Sequence, residues 1–187
     1  ISLDRQSGIV YITIKGPSED LPMDPKSIAT LGDKYWPLAL ARDLDDAIIH
    51  LSFNELELGT WVFRSVGDID SVADVDDILI KHEDHWLINE IIQYLKRVLK
   101  RLDLASRSLV TLVEPGSCFA GTLLELVFAA DRSYMLDGTL QDSSDSPAVL
   151  RTTKMNFGNL PMCNDLTRLQ TRFLNQPEEV KKIYDHR

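Results

Sequence analysis

The chain has 187 residues, 44% of them hydrophobic, and a formal net charge of -9. That length suits one domain at roughly 100 to 200 residues each, with ample apolar material for a core, and the charge provides no basic stripe for a phosphate backbone, which argues against nucleic-acid binding. No apolar run nears the roughly 18 residues that span a bilayer, the opening ISLDRQSG has neither a signal-peptide core nor an initiator Met, and Cys118 and Cys163 alone make no disulfide scaffold; together these point to a cytoplasmic piece of something longer.

Ile9 to Lys15 alternates β-branched and aromatic residues and reads as a strand ended by Gly16 and Pro17. Ser18 to Pro25 reads as a loop. Leu38, Ala41, Leu44, Ile48 and Leu51 then fall on one helical face, with Pro37 in the first turn and Arg42, Asp45 and Asp46 opposite. Glu55 to Arg64 reads as a second strand ending near Phe63, with a bend at Gly59 and a loop at Gly67.

Ile69 to Lys81 reads as a helix whose inner face carries Ile69, Val72, Val75 (or Asp76) and Leu79, and Asp84 is placed to cap the next one. That helix has the clearest stripe, through Ile88, Ile91, Ile92, Leu95, Val98, Leu99 and Leu102, with Lys96, Arg97, Lys100 and Arg101 near the end where the helix dipole favours cations. Leu109 to Val113 suits a strand covered on both faces, and Pro115 and Gly116 stop it. A helix follows from about Ala120 to Ala130, then a strand running to Leu136. The order β, α, β, α, α, β, α, β points to an α/β layered fold with parallel strands and right-handed crossovers.

Asp137 to Pro147 reads as an exposed, mobile excursion, Ala148 to Thr153 as a weaker strand, and Asn156 to Pro161 as a turn. Asn164 or Asp165 is placed to start a helix to Phe173, and Pro177 to open the last one.

The turn holding Gly116, Ser117 and Gly121 leads into a helix start, where unpaired N–H groups can hold an anion. If that anion develops during a reaction the amides form an oxyanion hole, and Glu125, the only ionisable group inside the helix, sits one turn on as a possible acid or base. The alternative is a glycine turn that merely packs helix on strand, with Glu125 solvated at the rim. His82 and His85, near Glu83, Asp84 and Glu90, suggest a metal site only weakly. Cys118 precedes a helix start, where a thiolate gains stability, but GSCFAG lacks the G-x-S-x-G spacing and reads more simply as a buried thiol. Trp36, Trp61 and Trp86 read as core and interface aromatics, and Met155 and Met162 as packing residues.

EPGSCFAGTLLELVFAADRSYM resembles the crotonase (enoyl-CoA hydratase/isomerase) segment of strand, glycine-rich turn and helix, and WVFRSVGDID falls where that superfamily carries its first oxyanion turn. YWPLALARDLDDAI, NELELGTWVFRSVGD, HEDHWLINE, SRSLVTLVEPGSCFAGTLLEL and MNFGNLPM, in that order, more closely resemble the C-terminal half of the ring-cleaving benzoyl-CoA dihydrodiol lyase family within it. The resemblance implies a crotonase-like spiral of ββα units, with parallel sheet layers covered by helices, as a single domain over 1–187 within a longer two-unit enzyme. It implies that the backbone amides near Ser65 and Thr122 match those that hold a thioester oxygen as an enolate forms, and that Glu125 matches one catalytic glutamate. Val66 replaces the glycine after the first amide, the triple-glycine turn is reduced to Ala120, Gly121 and Thr122, and Lys154 stands near the place of the second glutamate.

By that resemblance the N-terminal unit performs the chemistry, hydrolytic C–C cleavage of an oxygenated benzoyl-CoA ring with loss of the excised carbon as formate. The present portion acts as scaffold for that unit and for a homodimer or higher oligomer. No metal or redox cofactor is implied, CoA being part of the substrate. The alternative is an acyl-CoA-binding crotonase-type hydratase/isomerase with catalysis through Glu125.

Overall fold

The structure, a computed structural model, describes residues 1–18, 21–138 and 147–186. Most of the expected excursion from Asp137 to Pro147 lies outside the described residues. Five strands lie side by side in chain order: β1 (Ser2–Asp4), β2 (Ile9–Lys15), β3 (Thr60–Val66), β4 (Ser108–Val113) and β5 (Arg132–Met135). β1 runs antiparallel to β2, and the other three pairings are parallel. Each parallel step moves the same way across the sheet, so right-handed crossovers put the connecting helices on one face.

These helices are α1 (Pro25–Leu31), α2 (Trp36–Asn54), α3 (Ile69–Lys81), α4 (Trp86–Asp103) and α5 (Gly121–Ala129). The register aligns Val10, Trp61 and Leu109 in one row and Ile12, Phe63 and Thr111 in the next. All six are buried in a core shared with the helices. The α4 stripe from Ile88 to Leu102 is buried at every position named from the periodicity. None of the helices among the described residues is long and apolar enough to cross a membrane.

Differences from the sequence expectations have local causes. Ser2–Asp4 becomes a strand only because β2 offers it an edge. Asp24 caps α1 by accepting the Lys26 and Ser27 amides, with Pro25 in the first turn, where its missing N–H costs nothing. β3 runs on to Val66, because pairing with Lys15 carries it past Phe63. β4 is buried on its helix-facing side, while Val110 and Leu112 on the other are only half-buried.

Asp84 is not the α4 cap; His85 holds that position and makes no side-chain capping bond. Ala148 to Thr153 is not a strand but a single parallel bridge, Arg151 to Ala120. Asn164 accepts the Leu166 amide in a tight turn and Asp165 takes φ +63, so neither starts a helix. Thr167 does, through a capping box with Gln170, opening the short α6 (Arg168–Arg172). α7 (Pro177–Asp185) follows with no buried residue.

Candidate functional site

The turns after β3 and β4 lie together at one end of the sheet. The Gly67 amide donates to the Gly116 carbonyl at 3.1 Å, and the Cys118 amide donates to the buried Ser65 hydroxyl at 3.0 Å. Gly16 and Gly67 pass so closely that a Cβ on Gly67 would meet the Gly16 Cα at 3.1 Å. Ser65 and the α5 start are thereby brought to the same side of the molecule.

The helix start itself is fully occupied. The Gly121 amide donates to the Arg151 carbonyl at 3.0 Å, and those of Leu123 and Leu124 donate to the Ala120 carbonyl at 2.8 and 3.2 Å. The Thr122 amide donates to the Asp76 carboxylate at 2.9 Å, and the Thr122 and Thr153 hydroxyls donate to the same carboxylate at 2.6 and 2.7 Å. The residue matched to an oxyanion amide thus faces an anion supplied by α3.

Asp76 is fully buried. Burial pushes its carboxyl up to about 6, against the pull of the Thr122 and Thr153 hydrogen bonds. Tyr35, also buried, is pushed up to about 12 by burial and then by the charge of Asp76.

Glu125 is not solvated at the rim. Only 1% of its surface is exposed. One carboxylate oxygen accepts from Asn156 Nδ2 at 2.7 Å and the other from Arg168 Nη1 at 2.8 Å. Arg168 also grips Asp103 through two bonds, at 2.8 and 2.7 Å, and the Leu160 carbonyl at 3.1 Å. Burial raises the Glu125 carboxyl above its ordinary range, with Arg168 and Asn156 opposing. Asn156 also donates to the Gly121 carbonyl at 2.8 Å and accepts the Thr153 amide at 2.9 Å. One polar network therefore ties α3, α4, α5 and the 153–168 segment together.

Of the residues singled out from sequence, Val66 is exposed beside the turn and Lys154 is exposed on a 3-10 turn at Lys154–Phe157. Cys118 is buried and free, and burial raises its thiol, which disfavours a reactive thiolate. His82 and His85 end α3 and begin α4. Among the described residues no three His, Cys, Asp or Glu side chains gather as a metal shell. Trp61 lies in the core, whereas Trp86 is exposed.

Asp103, Thr153, Asn156 and Arg168 were not marked by sequence reasoning. Thr167-x-x-Gln170 was the available signal for Arg168, since a capping box there puts it in the first turn of a helix.

No protein-family model matches the chain. It is 42% identical over 182 residues, 97% of its length, to benzoyl-CoA-dihydrodiol lyase of Aromatoleum evansii. The chain spans 32% of that relative, about a third of its length. Along nearly the whole of its length, then, the chain is similar to about one third of that lyase.

Proposed function

We propose that this chain is the C-terminal, crotonase-like portion of a ring-cleaving lyase acting on an oxygenated benzoyl-CoA, and that within that enzyme it serves mainly as scaffold. On this reading an N-terminal unit performs the hydrolytic C–C cleavage. The present portion adopts the spiral of ββα units and supports that unit within a homodimer or higher oligomer. CoA enters as part of the substrate, and no other cofactor is required.

The observation that carries the scaffold role is the occupation of the Thr122 amide by Asp76. An oxyanion hole needs donors left free for the charge that develops on the substrate, and this donor already has a buried carboxylate. The second support is Glu125, which has both oxygens bonded internally. A general base must reach the proton that it takes. The match to the benzoyl-CoA-dihydrodiol lyase supports the reaction class.

A second reading, an acyl-CoA hydratase/isomerase working through Glu125, draws on the upward shift of its carboxyl by burial, which is the direction that suits acid–base work. It requires Glu125 to leave Arg168. Turnover of the complete lyase carrying Glu125→Gln discriminates the two. The scaffold role predicts a rate within a few-fold of the parent enzyme, and a collapse of turnover would establish the second reading instead.

A further inference from the structure

The connections that lead into β3 and β4 lie side by side, at the end of the sheet opposite the Gly16–Gly67 crossing. The Ser108 amide donates to the Gly59 carbonyl at 2.9 Å, and the register sets Thr60 opposite Ser108. α2 and α4 both end here, and between them lies a groove of about 460 Å³. α2 lines it with Ile48, Ile49 and Phe53, and the segment that ends α4 and leads to β4 lines it with Leu104, Ala105 and Arg107. Large apolar side chains project at this place instead of entering the core. Phe53 is 75% exposed, Leu104 72% and Leu56 69%, and Ile49, one turn before Phe53 on α2, is 40% exposed. Single exposed apolar residues need no explanation, but a group of them beside one groove marks an interaction surface.

The charge of the patch indicates which partner fits. With a net charge of -9 on each chain, two copies repel one another as wholes, so they can meet only where acids are not in excess. Among the described residues no acid lines this groove. Its two cations are Arg101, which pairs with Asp45, and Arg107, which donates to the neighbouring Ser106 carbonyl at 3.0 Å and has no ionic partner among the described residues. Glu57 is exposed in the adjoining connection into β3, likewise with no ionic partner among the described residues. The patch therefore presents a projecting aromatic ring and a groove, and an unpaired base and an unpaired acid. A surface with both members of each pair is complementary to itself, as a twofold interface requires.

We propose that a second copy of this chain docks on this patch about a twofold axis, with each Phe53 seated in the other copy's groove and each Arg107 facing the other copy's Glu57. The inference gives a contact surface to the homodimer of the reading above, and it rests on that reading for the presence of two copies. Phe53 is the anchor, since an aromatic ring that fills a pocket carries a large share of an interface's binding energy. Leu104 and Leu56 surround it and exclude water, and the two Arg107–Glu57 pairs at the rim set the register of the two copies rather than hold them together.

Photo-crosslinking in the complete protein tests this. The photoreactive residue benzoylphenylalanine replaces Phe53, an exposed position whose exchange leaves the core untouched, and heavy-isotope-labelled and unlabelled copies are mixed before irradiation. Peptides that join one labelled to one unlabelled copy should link position 53 to residues 48–53 or 101–107. Links confined to a single copy, links only to other segments, including any part of the complete protein outside residues 1–187, or no link at all would overturn the proposal. Sedimentation of Phe53→Asp gives an independent measure: the dissociation constant of the dimer should rise by roughly tenfold or more, and an unchanged constant would also overturn it. A parent protein that sediments as a monomer at every concentration removes the homodimer from the reading above together with this surface, whereas a dimer that fails both tests removes the surface alone. Glu125→Gln turnover, which decides the scaffold role, enters neither measurement.

Discussion

Asp76 on α3 accepts both the backbone N–H and the hydroxyl of Thr122 at the start of α5, at 2.9 and 2.6 Å. Ala120 supplies no side-chain cap to that helix, so a carboxylate from a neighbouring helix does so from the side. This cross-helix cap satisfies an amide that would otherwise be orphaned and places a negative charge at the positive end of the α5 dipole. The same contact closes the anion site that the glycine turn offers on paper.

The buried carboxyl makes stability depend on pH. Folded Asp76 titrates at about 6 against an ordinary 3.8, so the folded state holds the proton more tightly than the unfolded state. Its contribution is fully present below about pH 3.8 and lost as pH rises through about 6, amounting to about 3 kcal/mol. Glu125, also raised by burial, acts with the same sign. Urea midpoints of the parent protein should fall across this window more steeply than those of Asp76→Asn. Parallel curves for the two proteins would remove Asp76 as the cause.

Gly121 is held by the same contact. It takes φ +41, and a Cβ there would lie 1.6 Å from the Asp76 Oδ2 and 2.5 Å from the Thr153 Oγ1. Gly121→Ala should cost about 3 kcal/mol or more, through backbone strain together with displacement of the cap. Gly59→Ala is the matched control, because nothing lies within 4 Å of its added Cβ, and it should change stability by no more than about 0.5 kcal/mol. Thermal unfolding of the two variants separates them; similar losses would show that the clash at Asp76 is relieved cheaply.

What was legible in the sequence follows from how far apart the interacting residues are. The α4 stripe and the β2 alternation are local periodicities, and burial obeys them at Ile88 to Leu102 and at Val10, Ile12 and Ile14. Asp76 stood as an alternative to Val75 on the inner face of α3, and both are buried; a carboxylate on that face is unfavourable until its partner is known, and Thr122 lies 46 residues away. Glu125 stood out as isolated in an apolar helix, but Arg168, 43 residues on, left no pattern to pair it with. Polar contacts between distant segments obey no period, and so they surface only once the chain is folded.

The C-terminal segment is also tied to α5 at the other end of that helix. Arg172 donates to the carbonyls of Phe128, Val127 and Ala130 at 2.9, 3.1 and 2.7 Å, where the last carbonyls lack intrahelical partners and the dipole favours a cation. Arg172→Ala should cost about 1 to 2 kcal/mol. Arg172→Lys should restore only part of this, since an ammonium cannot span three carbonyls as the planar guanidinium does. Chemical denaturation of the three proteins orders them; an Arg172→Lys variant as stable as the parent would mean that charge alone matters.

Arg168 is one cation shared by two carboxylates, Glu125 and Asp103, with side-chain exposures of 1%, 1% and 6%. The count alone makes the network asymmetric. Removing the guanidinium leaves two buried anions without a counter-ion, Glu125 keeping only its hydrogen bond from Asn156, whereas neutralising one carboxylate leaves a one-to-one pair. Arg168→Met should therefore cost about 3 to 5 kcal/mol. Glu125→Gln should cost only about 1 to 2 kcal/mol, because the amide oxygen still accepts one of the two donors from Arg168 and Asn156. Arg168→Met combined with Glu125→Gln and Asp103→Asn should recover much of the loss, since no buried charge remains. Urea unfolding of the single variants and of the triple variant measures this. If Glu125→Gln proved as destabilising as Arg168→Met, the excess of negative charge would not govern the site.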